Sequence, residues 1–539
     1  MLESASTHDV LNQAPPIAPY NVFKADLALG EALEREGGGW GVDRLRDTGE
    51  LAGSPEALEH ADRAERNEPI LRTHDRYGKR IDQVELDPSW HWGLRQAIER
   101  EIHCLPWRGV AQAAGSAGGA RPAIPQPGAH TVRAALFMVW SQVGSGVMCP
   151  VSMTYAAIPA LRENAELAAE WEPRLTRPSY ADGALAGMAM TEKQGGSDVR
   201  ANTTRAEPAG DGTYELTGHK WFCSYPPCDV FLTLAQAPAG LSCFLFEGRD
   251  PGFRIQRLKD KLGTRSLPSS EVELHGVRGR LIGEEGRGVA TIIRMVNHTR
   301  LDCLLGSTAS MRWGLAQAVH HARHRSAFGK LLAEQPAMQN VLADLAVESE
   351  AATATAMRIA RSYDEADAPF RRFATAVSKY WVCKRAAPHA AEALECLGGN
   401  GYVEESGMPR LLRDAPLNSI WEGSGNVAAL DVLRATVKEP EGLPAFMEEC
   451  ELGRGGNALL DAHLDKLQAA APPSEPELEA RRIVEDLALA LQASLLVRNA
   501  PAEVADAFCA GRLGDGGRAF GTLPPTVNAP VIVERALAG

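Results

Sequence analysis

At 539 residues the chain exceeds what one hydrophobic core can organise, and it points to three or four domains of roughly 150 residues each. A formal charge of −13 argues against a general nucleic-acid binder, although a local basic face could still form. Ten cysteines carry no C-x-x-C pair, Cys223 and Cys228 being the closest, so no disulfide framework is implied and buried thiols in a reducing cytoplasm are expected.

The start, Met1-Leu2-Glu3-Ser4, lacks the basic and apolar stretches of a signal peptide. Up to about residue 180 the apolar spacing reads as helical, for example over Ala28–Glu36 and Trp90–Ile102. Ala113–Ala129, rich in Gly, Ala and Pro, reads as a surface loop. Ala134–Leu161 carries no charge, but its Gln, Gly, Ser and Pro residues favour two buried helices broken near Pro150 over a membrane span.

From about Leu185 short strand patterns follow one another: Tyr214–Thr217, Val230–Leu234, Ser242–Phe246 and Glu271–Leu274. Helical periodicity returns over Ile292–Ala322, Met338–Tyr363 and Arg371–Leu397, long enough for a bundle. Lys438–Gly442 reads as a linker into a further helical unit over Ala458–Ala471 and Glu475–Arg498. The expected fold class is α+β and mostly helical, with boundaries at 1–184, 185–288, 289–437 and 438–539. His320, His321 and His324 could share a helix face, but without an acidic or thiol companion they read as polar surface, and no metal is expected.

Four segments carry the chemistry: Met188-Ala189-Met190-Thr191-Glu192-Lys193-Gln194-Gly195-Gly196-Ser197-Asp198-Val199, Lys220-Trp221-Phe222-Cys223-Ser224, Arg325-Ser326-Ala327-Phe328-Gly329, and Ser419-Ile420-Trp421-Glu422-Gly423-Ser424-Gly425-Asn426. Singly, each has an ordinary reading: a glycine turn, a strand, a polar helix end, a glutamate near a helix start with Asn426 as its cap. In this order and spacing they resemble the acyl-CoA dehydrogenase family. The words TEKQGGSDV, GHKWF and NSIWEGSGN are similar to its AidB-like branch, that of an alkylation-response flavoprotein.

The resemblance implies an N-terminal helical domain, a central β-domain, a C-terminal helical bundle and a helical extension, with FAD as cofactor. It places Met188, Met190, Thr191 and Ser197 at the flavin and its phosphates. Phe222, rather than Trp221, takes the aromatic position against the flavin ring, with Cys223 beside it and Ser224 at the hydroxyl position. Arg325 and Phe328 would reach the cofactor of a neighbouring subunit, as an arginine fork suits phosphate, which implies a homotetramer. Gln335, Gly398 and Gly399 belong to the same contact set. The pattern departs here, with Pro336 where the family often has Gln and Glu395 in place of another.

Glu422 matches the family's base, which takes the α-proton of an acyl-CoA thioester while hydride leaves for the flavin. The alternative base position on an earlier helix is Thr299, before Arg300, and cannot serve. Ile420, Gly423, Ser424 and Asn426 complete the cofactor set around Glu422. Three functions stay open at this point: a dehydrogenase feeding an electron-transfer flavoprotein, a DNA-associated damage-response flavoprotein, and a flavin oxidase. Residues 440–539 hold eight Lys and Arg against fifteen Asp and Glu, a net of −7, which disfavours DNA binding there.

Overall fold

The computed structural model describes residues 7–108, 126–144, 146–365, 367–471 and 473–537. The surface loop expected over Ala113–Ala129 lies outside these residues up to 125, and its end is already helical, since Ala129 opens the helix Ala129–Ser141.

The first region is helical, as its periodicity indicates, with one exception. Ile70–His74 and Arg80–Glu85 form an antiparallel hairpin. Its turn uses Gly78 at φ +80° and the Asp75 carboxylate, which accepts from the Tyr77 and Lys79 amides at 2.8 and 3.0 Å. Two short half-exposed strands leave too little apolar alternation to compete with flanking helical patterns. The hairpin leans on the β-domain through Arg80, which donates to the Ile255 carbonyl at 2.6 Å.

The uncharged stretch falls in a pair of almost fully buried helices, Ala129–Ser141 and Met148–Leu161, the first of which also carries Arg133 ahead of it. The break lies between Ser141 and Met148 rather than at Pro150. Pro150 sits in the first turn of the second helix, where a missing N–H breaks no intrahelical bond. Both helices pack on Gly288–His324, a 37-residue helix through the centre of the molecule. No helix among the described residues is long and apolar enough to cross a membrane.

In the β-domain, Val230–Ala237, Arg205–Pro208, Tyr214–Ser224, Ser269–Ile282 and Gly240–Glu247 pair in that order, and the last pairs back with the first, so the sheet closes on itself. Ala186–Ala189 adds in parallel to Val230–Thr233, and Phe253–Leu258 adds to Ser269–Ile282. Closure hides the edges and leaves the loops at one end free to line a site.

Pro336–Asp364 and Ala368–Cys396 complete the bundle around the central helix. The expected linker is instead a continuation: Gly425–Lys438 is helical to its end, and after a three-residue turn Gly442–Glu451 begins. The extension is not an appendage. Pro476–Asn499 is buried almost continuously from Leu487 to Leu496, against Pro336–Asp364, Ala368–Cys396 and Gly425–Lys438. Arg535, near the far end, pairs with Glu31 and Glu350 and so ties the extension back to the first region.

Candidate active site

A cavity of about 1560 Å³ opens between the β-domain, the helices Ala129–Ser141 and Met148–Leu161, the central helix and the turn at Glu422. It exceeds the roughly 300–1,000 Å³ that a drug-sized ligand fills, so it has room for a dinucleotide cofactor together with a substrate.

The β-domain supplies one wall. Along Tyr214–Ser224 the side chains of Leu216 and Lys220 point inward, and strict alternation would bury Phe222 as well. The pairing with Ser269–Ile282 slips between Lys220 and Cys223, so Cys223 turns into the core and Phe222 faces the cavity, half exposed. Trp221 stays off the cavity wall, its ring covered by Lys259 with Nζ 3.3 Å from the centroid.

Beneath this wall Lys220 is fully buried, its Nζ 2.8 Å from Glu192 Oε1 and 2.7 Å from the Leu234 carbonyl. Burial opposes ionisation of Glu192, but Lys220 and donation from Thr204 and Thr203 outweigh it and hold the carboxyl down at about 2. That ion pair pins the loop from Thr191 to Thr204, which brings Thr191, Gly196 and Ser197 to the cavity beside Met188 and Met190.

Another part of the lining is the turn of Glu422, held in the left-handed region at φ 58°. Such backbone costs on the order of 1–3 kcal/mol and persists only where contacts over-determine it. Here the contacts are cationic. Buried Lys379 donates to the carbonyls of Trp421, at 2.9 Å, and Gly423. Arg300 Nε donates to the Glu422 carbonyl at 3.0 Å while its Nη1 pairs with Asp431 at 2.6 Å.

The carboxylate itself receives the Thr299 hydroxyl at 2.8 Å. Burial pushes the Glu422 carboxyl above its ordinary range. Thr299, Lys379 and Arg300 pull it back, and Asp302 adds to the rise. Thr299, which cannot be the base, thus touches the residue that can. Lys379 escaped the sequence reading because it lies near no motif, with only a lone Lys in an apolar helical run as a hint, and Asp302 was passed over although it follows the Thr299–Arg300 position.

The remaining candidates are placed as follows. Ser224, Ile420, Gly423 and Ser424 line the cavity. Cys223 does not, its thiol being buried. Asn426 caps nothing: Ser424 occupies the N-cap position, and Asn426, exposed on the helix, accepts from Arg481 Nε at 2.8 Å. Arg325, Phe328, Gln335, Gly398 and Gly399 line no part of this cavity.

They gather on another surface, bridged by an N-terminal arm: Asn12 bonds Ser326 in both directions, and Gln13 accepts from Asn400 at 3.2 Å. Of the three histidines expected on a polar face, His320 and His324 bond carbonyls of Pro15 and His320, while His321 is buried.

Residues 12–182 match the family model described as the adaptive response protein AidB N-terminal domain; 187–277 and 286–437 match the middle and C-terminal domains of acyl-CoA dehydrogenase. The chain is 41% identical over 522 residues to AidB of Escherichia coli (strain K12), covering 93% of this chain and 94% of that protein. The chain belongs to the acyl-CoA dehydrogenase family, in its AidB-like branch.

Among other family members, acyl-CoA dehydrogenase family member 11 of Caenorhabditis elegans is 34% identical over 452 residues, 78% of this chain and 71% of that protein. A solved structure of C. elegans ACDH-11 in complex with C11-CoA superposes with a TM-score of 0.86 at 29% identity, covering 95% and 94% of the two chains. The acyl-CoA dehydrogenase family is FAD-dependent. The residues here fit that group. Phe222 offers a flat exposed face, and Thr191, Ser197 and Ser224 offer hydroxyls around it. Gly196 lies where a Cβ would come 3.1 Å from Thr191, so the loop can fold tightly.

Proposed function

We propose that the protein is an FAD-dependent acyl-CoA dehydrogenase in which Glu422 removes the α-proton of an acyl thioester. The observation that carries this reading is the Glu422 carboxyl, held at the cavity by strained backbone and bonded to Thr299, in the same cavity that Phe222 lines. When bound, FAD supplies the acceptor for the hydride leaving the β-carbon.

The chain's own part is proton chemistry and positioning. Raising the Glu422 carboxyl above its ordinary range makes the carboxylate a stronger base near neutral pH. Because Lys379 and Arg300 fix the carbonyls of three consecutive residues, the carboxylate need not reorganise when substrate arrives. Electrons would leave to an electron-transfer flavoprotein, and the surface of Arg325 and Phe328 would complete the cofactor site of a neighbour in a homotetramer.

Anaerobic titration of the purified protein with straight and branched acyl-CoAs tests the reading. Bleaching of the flavin band is expected, and a flavin that no acyl-CoA reduces would overturn it.

The match of residues 12–182 to an adaptive response protein supports a second reading, a DNA-associated flavoprotein. The charges of the extension oppose it. Six of its eight cations, Arg454, Lys466, Arg482, Arg498, Arg512 and Arg535, are already in ion pairs within the chain. With net −7 over 440–539, weak duplex binding is expected at about 150 mM salt, strengthening as salt falls. Tight binding at that salt in an anisotropy titration would put the second reading first.

A further inference from the structure

Past Glu422 the cavity continues along the central helix. Thr299, Asp302, Cys303, Gly306 and Ser310 all line it and recur at helical spacing, so one face of the helix forms its floor. From Thr299 to Ser310 that floor runs about 16 Å at 1.5 Å per residue. Across it stand Phe137 and Ser141, one turn apart on the helix Ala129–Ser141. Gly306 keeps the passage open: a Cβ there would meet Asn418 Nδ2 at 3.1 Å and Phe137 Cε1 at 4.0 Å.

A hydrocarbon tail needs no polar partner, and this arm sets polar groups beside Phe137 and Cys303. Among the described residues, Ser141 Oγ is buried with no hydrogen-bond partner. Asn418 Oδ1 accepts from Trp421 Nε1 at 2.9 Å, which turns its Nδ2 donors toward Gly306. Ser310 donates to the Gly306 carbonyl at 2.9 Å and keeps its oxygen free to accept. A buried hydroxyl left unpaired is costly, and a site holding one rejects the analogue that cannot bond it.

We propose that this arm receives an acyl chain bearing a hydroxyl near its distal end, which both donates and accepts among Ser141, Asn418 and Ser310. The inference rests on the acyl-CoA reading and names its substrate class.

The test uses the FAD-loaded full chain and pairs of acyl-CoAs of equal length, ending in methyl or in hydroxymethyl, from butanoyl to dodecanoyl. Dissociation constants are read anaerobically from the perturbed flavin spectrum. Once the chain reaches Gly306, the hydroxyl member is expected to bind about tenfold tighter, the worth of one net hydrogen bond.

Ser141→Ala and Asn418→Leu should each lower that preference, and Gly306→Ala, a helix-favouring change, should weaken the long pairs relative to butanoyl. Equal affinities at all lengths, a preference for methyl ends, or a hydroxyl preference already present at the four-carbon chain would overturn the inference. A clear hydroxyl preference without flavin bleaching would sink the catalytic reading and leave this subsite standing. Failure to bind any acyl-CoA would sink both.

Discussion

Glu422 and Phe328 both sit at positive φ, 58° and 53°, and each is followed by a glycine at positive φ. Around Glu422 the same chain supplies every restraint: Lys379 and Arg300 on the backbone, Thr299 on the carboxylate. Phe328 is 99% exposed, and its conformation is that of a two-residue hairpin between Ser326–Ala327 and Lys330–Leu331. A turn with positive φ at both central residues favours Asn-Gly, so a bare phenylalanine there is not chosen for the turn. The first turn is complete within the subunit. The second leaves its aromatic ring bare, and that exposure is the physical support for the proposed neighbouring subunit.

The sharpest break in that comparison is Glu422→Gln. With the amide in place the FAD should remain, and substrate-dependent bleaching in stopped flow should slow by about 10²–10⁴, the usual worth of a general base. Reduction at the parental rate would make Glu422 a structural residue.

Next in size is Glu192→Gln, which leaves Lys220 buried without its counter-charge and should cost about 3–5 kcal/mol of stability. Chemical denaturation would measure it. The pH sign follows from the low carboxyl: its folded value, about 2, lies below the unfolded one, so the pair's contribution is full above the ordinary carboxylate range and is lost as pH falls toward about 2. The parental protein should therefore lose more stability than Glu192→Gln over that acid window.

A smaller effect is expected for Thr299→Val. The Thr299 hydroxyl lowers the raised Glu422 carboxyl, so its removal should move the acid limb of the kcat/KM profile to higher pH, since the base must be ionised to act. A limb that stays put would show that Thr299 does not bond the carboxylate in the working enzyme.

Smallest within one subunit is Phe328→Ala. Subunit stability should change by no more than about 0.5 kcal/mol, as for other exposed positions, while size-exclusion chromatography and flavin content report weaker assembly and cofactor retention. An unchanged oligomer with full flavin would mean that the exposed ring serves neither.

Much of the fold was legible because long helices repeat a strong signal. The runs Ile292–Ala322 and Met338–Tyr363 each fall within one helix, and Arg371–Leu397 passes the end of its own by one residue. The hairpin at Ile70–Glu85 was not legible, its strands being short and half exposed. The extension was read as helical but detached, since Lys438-Glu439-Pro440-Glu441-Gly442 has the composition of a linker. Composition reports local flexibility, whereas attachment depends on which distant faces the following helices bury.

What the sequence determined by itself was the set of chemical groups: a glutamate in a glycine-flanked turn, hydroxyls in a glycine loop, an aromatic at a strand end. These are local words, and local chemistry suffices to read them. Tertiary structure alone decided that a slip in strand register turns Phe222 outward and Cys223 inward. It alone brought Lys379, 43 positions before Glu422, beneath that turn. A strand's facing is fixed by its partner and a buried lysine's contacts by helix packing, so neither is encoded at any single position in the chain.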